Sequence, residues 1–80
     1  TLADSMAVSN FKSDQIVALD DALTTLTALD ARKGRVVELK FFGGLTIEEI
    51  AEVLKISTDS VKRDWRFSRR WLMRELALIS

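Results

Sequence analysis

Apolar residues recur at helical spacing in four separate stretches of this chain. Ile16, Leu19, Leu23 and Leu26 fall on one face of a helix, with Asp20 and Asp21 turned to water. Ser13 stands just ahead of that face as an N-cap. Leu29-Asp30 interrupts the pattern, and Asp30 is placed to cap a second helix from Ala31 to about Phe42. The apolar content of that helix is Val36, Val37, Leu39, Phe41 and Phe42, dense enough to predict burial on more than one side, with both Phe residues in the core. The segment VVELKFF is also rich in residues that favour strands. No other stretch offers a strand to pair with it, so a helix is expected.

Gly43-Gly44 ends the second helix, with a glycine supplying the left-handed residue past its end. Thr46 and Glu49 then form the T-x-x-E pattern of a capping box. Ile47, Ile50, Ala51 and Leu54 make one apolar face of a third helix. Only Lys55-Ile56-Ser57 separates it from a fourth. Ser57 caps this last helix, which runs to about Leu78 and turns Val61, Trp65, Leu72, Leu76 and Ile79 inward, with small Ser68 on the same side. The pattern predicts an all-α fold: a four-helix domain over residues 13–80 with a C-terminal helix-turn-helix and a long recognition helix. Residues 1–12, TLADSMAVSNFK, lack sustained periodicity and are expected to be a linker or arm.

Composition narrows the chemistry. The 80 residues include no Cys and no His, which removes thiolate nucleophiles, Cys-based metal sites, and the commonest general base and metal ligand. No apolar run approaches the roughly 18 residues a membrane span needs. The expectation is a cytoplasmic chain with no cofactor, no metal and no membrane association, opening at Thr1 as a piece of a longer protein. It is not expected to be an enzyme, since nothing supplies a nucleophile with its base. Glu48, Glu49 and Glu52 on the third helix read as a solvated face, and Gly43-Gly44 lacks the pattern of a phosphate loop.

The formal net charge of zero conceals an asymmetry. Residues 1–30 hold Lys12 against Asp4, Asp14, Asp20, Asp21 and Asp30, whereas residues 62–74 hold Lys62, Arg63, Arg66, Arg69, Arg70 and Arg74 against Asp64 alone. At about 100° per residue, the side of the last helix opposite Val61 and Trp65 collects Asp59, Arg63, Arg66, Arg70 and Arg74. Lys62 and Arg69 lie on one flank; Asp64, Phe67 and Trp71 lie on the other. A single basic helix is ordinarily just solvated, and tight turns occur in bundles that bind nothing. Here the basic row sits on the second helix of a helix-turn-helix, the element that enters the major groove. Small Ala51 permits the close crossing, and Ile56 is expected to be buried in the turn and to fix its angle. Lys and Arg release counterions from phosphates, and Arg bonds bidentately to guanine. Thr58, Asp59 and Ser60 stand at the helix start, where short polar side chains reach base edges. The amides near Thr46 are candidates for a backbone phosphate. Lys55 occupies a turn position that often carries Gly.

The run LTALDARKGRVVELKFFGGLTIEEIAEVLKISTDSVKRDWRFSRRWLMREL resembles region 4, the C-terminal DNA-binding domain of bacterial sigma factors, and is most similar to the extracytoplasmic-function group. The similarity extends over about Ile16 to Leu76. It implies binding of the minus-35 promoter element while docked on core RNA polymerase. By position, the resemblance assigns Lys62, Arg63 and Arg66 to contacts from the recognition helix, Thr58 and Ser60 to its opening, and Lys40 and Thr46 to the DNA backbone. With Asp59, Arg69 and Arg70 from the charge pattern, these make the expected DNA-binding set. The polymerase β-flap and an anti-sigma protein are the protein partners it implies. Ala31 stands where many relatives have Pro, and Asp64 where some have Arg. The family's DNA-melting domain is not contained in these residues, so this chain alone is expected to bind promoter DNA weakly and not to open it. A free-standing regulator with the same fold, or a protein-interaction or membrane-surface module using the basic helix, are the alternatives. Copurification with core polymerase, or liposome binding without DNA binding, would separate them.

Overall fold

The structure, a computed structural model, describes residues 13–79, with the side chains of Ser13, Leu78 and Ile79 left out. The arm expected over residues 1–12, the cap at Ser13 and the core position of Ile79 therefore fall outside the described residues. Four helices follow in chain order: α1 (Ser13–Leu29), α2 (Ala31–Val37), α3 (Ile47–Leu54) and α4 (Thr58–Ile79). No strand occurs among the described residues. VVELKFF is helical, but not uniformly α: beyond Val37 the chain widens into a π-helical turn, Glu38–Phe42. Its end is marked by Gly43 N–H donating to the Glu38 carbonyl at 2.9 Å, a bond over five residues.

Each boundary has a local cause. Asp30 is extended at the head of α2, and its carboxylate accepts from the amides of Arg32 and Lys33. Gly44, with φ of +69°, takes the left-handed position after the π turn. The capping box forms as expected: Thr46 Oγ1 accepts from the Glu49 amide at 3.1 Å, and Glu49 Oε1 accepts from the Thr46 amide at 2.9 Å. That hydrogen bonding holds the exposed Glu49 carboxyl below its ordinary range, the backbone bond with Thr46 contributing most. Lys55 ends α3 in the left-handed conformation, φ 56° and ψ 46°. Ser57 caps α4, its Oγ accepting from the Ser60 amide at 3.1 Å.

One core forms where the apolar faces meet. Leu19, Leu23 and Leu26 of α1, Val36 and Val37 of α2, Phe41 of the π turn, Ile50 and Ala51 of α3, and Val61, Trp65 and Leu72 of α4 are all buried. Ile47, Leu54, Ile56, Trp71 and Leu76 are half-buried against it, so the turn residue Ile56 is only partly covered. α4 packs on each of the other three helices, and α1 packs on α2. Two small residues permit close approach. Gly34 of α2 lies against Thr27 of α1. Ser68 of α4 is fully buried, with a hydroxyl oxygen that has no partner among the described residues.

Phe42 departs from expectation. Phe41 is buried, but Phe42 is 47% exposed and meets Phe41 edge-on at 5.1 Å between ring centroids. Phe42 is the last residue of the π turn and is followed by exposed Gly43 and Gly44, where the chain leaves the core.

Candidate nucleic-acid interface

The helix-turn-helix consists of α3 and α4 joined through Lys55-Ile56-Ser57. Buried Ala51 and Val61 lie on the core side of the pair. With Trp65 and Leu72 also buried, the opposite side of α4 is presented outward. Asp59, Arg63, Arg66, Arg70 and Arg74 are all exposed there. Among the described residues, no carboxylate pairs with Lys62, Arg63, Arg66, Arg69, Arg70 or Arg74; the ion pairs present involve Arg32, Lys33 and Arg35 instead. Among the described residues, then, the basic row is neither covered by another helix nor paired with the acids of α1.

The expected residues divide into two groups. Lys40, Lys62, Arg66 and Arg69 converge on one concavity, whose floor includes Ile47 and Trp65. Lys40 reaches it from the π turn, and the other three come from successive turns of α4. Like charges gathered without a carboxylate repel one another, so the concavity favours an anion that neutralises them. Thr46, exposed and next to Ile47, is adjacent in sequence to its rim. Its hydroxyl is engaged in the cap, bonded with the amide and the side chain of Glu49.

The second group is the leading end of α4. Thr58 and Asp59 are exposed. Ser60 is half-buried and tied into the cap: its Oγ accepts from Ser57 Oγ at 2.9 Å and from Arg63 Nη2 at 3.3 Å. Ser60 thus orients Arg63 as well as opening the helix. Arg70 lies apart from both groups, in a shallow groove with Phe67, Trp71 and Arg74 on the other side of the helix.

A cluster that the charge pattern did not reveal lies on that same flank. Asp64, a flanking acid by its place in the pattern, is buried, its side chain only 5% exposed. Arg32 of α2 donates to it through Nε at 2.7 Å and Nη2 at 3.3 Å. Lys33 Nζ is 3.6 Å from Asp64 and 2.9 Å from Asp30, and it lies 5.2 Å from the centre of the Phe67 ring. The hydrogen bond with Lys33 pulls the Asp30 carboxyl below its ordinary range and raises Lys33 in turn. One signal for this was present in the sequence. Asp64 is three residues after Val61 and four before Ser68, both fully buried, so it shares their side of the helix.

Among the described residues no group of three or more Asp or Glu is arranged to hold a metal ion, and no helix is long and apolar enough to cross a membrane. A family model described as ECF sigma factor matches residues 2–78. No curated protein and no solved structure matches the chain.

Proposed function

Because this chain belongs to the ECF sigma factor family, a non-enzymatic family that acts in transcription initiation, we propose that it binds the minus-35 element of promoters through α4 while held on core RNA polymerase. The observation that carries the proposal is the outward row of cations on the second helix of a helix-turn-helix, unpaired with any carboxylate among the described residues. Thr58, Asp59, Ser60, Lys62 and Arg63 enter the major groove first and meet base edges. Lys40, Arg66 and Arg69, with Thr46 beside them, grip the phosphates of one strand, and Arg70 approaches the backbone from the other flank. Lys62 and Arg66 stand at the border between reading and anchoring.

The half-exposed Phe67 and half-buried Trp71, flanked by Arg70 and Arg74, form the surface on which we place a protein contact. The polymerase β-flap and an anti-sigma protein are the partners this proposal carries. Residues 1–12 are assigned to the interdomain linker and 13–80 to the DNA-binding unit. Promoter binding places the activity in the cytoplasm. The test is selection from a random duplex library, with and without core polymerase. A single enriched motif, bound more tightly in the presence of polymerase, supports the proposal. No enrichment in either arm rejects promoter reading, and enrichment indifferent to polymerase favours a free-standing regulator.

A further inference from the structure

We infer that Asp64 is a positioning residue for DNA reading: its ion pairs with Arg32 and Lys33 fix the rotation of α4 about its own axis, and with it the aim of Lys62, Arg63 and Arg66. The inference rests on the DNA-reading role proposed above.

The core side of α4 is apolar, and apolar contact is non-directional. Val61, Trp65 and Leu72 hold the helix against the domain and choose the side that faces the core, but they define its fine roll less sharply than a bonded anchor does. Asp64 supplies direction. Its two oxygens meet three donors, Arg32 Nε at 2.7 Å, Arg32 Nη2 at 3.3 Å and Lys33 Nζ at 3.6 Å. The donors are themselves fixed, because Asp30 accepts from the Arg32 and Lys33 amides and pairs with Lys33 Nζ at 2.9 Å. Asp64 and Lys62 are two residues apart, so they lie about 200° apart around the helix. The clamp thus grips the flank away from the concavity and leaves the cations there free.

The tolerance is small. On a helix roughly 10–12 Å across with its side chains, a roll of about 20° moves the surface by roughly 2 Å. That exceeds the distance range over which a hydrogen bond forms. Base-edge contacts need fixed geometry, whereas phosphate contacts through long cationic side chains follow the backbone. Releasing the clamp therefore costs discrimination more than affinity. Simple charge counting predicts the opposite emphasis, since removing the Asp64 charge strengthens binding to every duplex.

The test compares wild type, Asp64→Asn, Arg32→Gln and the double variant on two duplexes, the one enriched from the library and a scrambled version. Circular dichroism gives the folded fraction of each. The ratio of the two affinities is expected to fall about tenfold in each single variant, the loss of one bidentate base contact. Binding to the scrambled duplex is expected to hold or tighten in Asp64→Asn, which removes a negative charge, and to weaken slightly in Arg32→Gln, which removes a positive one; the double variant should lose no more of the ratio than the worse single one. A preserved ratio in the folded variants, or an equal loss on both duplexes, overturns the inference, because a merely less stable fold weakens both alike. Arg32 is half exposed, so Arg32→Gln provides the comparison if Asp64→Asn does not fold. A wild type that prefers neither duplex defeats the DNA-reading proposal and the clamp with it; a selective wild type with unchanged variants defeats the clamp alone.

Discussion

Gly34→Ala sets two physical effects against each other. Gly34 is buried within α2 at an ordinary helical position, so helix propensity alone predicts that alanine stabilises it by about 1 kcal/mol. The packing predicts the reverse. A Cβ at residue 34 would fall on Thr27 Oγ1, and would lie 2.8 Å from Thr27 Cβ and 2.9 Å from Thr27 Cα. Relaxed carbon–carbon separations are about 3.5–4.0 Å. Rotating the threonine clears only the hydroxyl; relieving the overlap with its two carbon atoms requires α1 and α2 to separate by roughly half an ångström or more. Overpacking of this kind costs about 1–3 kcal/mol, and here it also disturbs the seating of fully buried Val36 and Val37. The net expectation is destabilisation by about 1 kcal/mol, which for a domain of this size lowers Tm by roughly 4–8 °C. Thermal melts followed by circular dichroism at 222 nm read it directly, and adding Thr27→Ala should recover part of the loss. A Tm equal to or above wild type would refute the argument, because propensity would then outweigh the close approach. The effect bears on function, since α2 carries the two cations that hold Asp64.

Three further outcomes follow from the same geometry. Lys55→Gly relieves a left-handed non-glycine residue, and should raise stability by about 1 kcal/mol in a denaturant titration without altering DNA preference. Arg63→Ala should flatten base preference, whereas Arg69→Ala should weaken binding to all duplexes alike; competition binding across a panel of point-mutated sites separates the two. Asp30 and Glu49 both have folded-state pKa values below their unfolded ones, so their contributions are complete above the ordinary carboxylate range and are lost as pH falls through the lowered values. Melting temperature should hold from about pH 7 to 5 and decline below about pH 4, with a smaller decline in Asp30→Asn/Glu49→Gln.

The sequence carried those features whose cause is local. The capping box needs only Thr46 and Glu49 at their spacing, the left-handed stop after α2 needs only Gly44, and the apolar period of α4 places Trp65 inside and Arg66 outside. What was illegible depends on a second element. The π turn alters the phase of Glu38–Phe42, and nothing in ELKFF announces it. Lys40 joins Lys62, Arg66 and Arg69 only because α2 ends beside α4. Gly34 is small because Thr27 lies across from it. On its own helix Asp64 shares the side of Val61 and Ser68, but the cations that satisfy it there, Arg32 and Lys33, come from about thirty residues away. Phe42 is exposed because it closes the π turn, where the chain runs out through Gly43 and Gly44.

The proposed interface works only if the cations of α4, joined by Lys40, neutralise DNA phosphates. The salt dependence of binding to the library-selected duplex tests it most directly. The logarithm of affinity should fall linearly with the logarithm of salt, by about 0.9 for each phosphate contacted, and Arg66→Ala/Arg69→Ala should lower the slope by close to two such steps. A salt-independent affinity, or a slope untouched by removing both arginines, would contradict it.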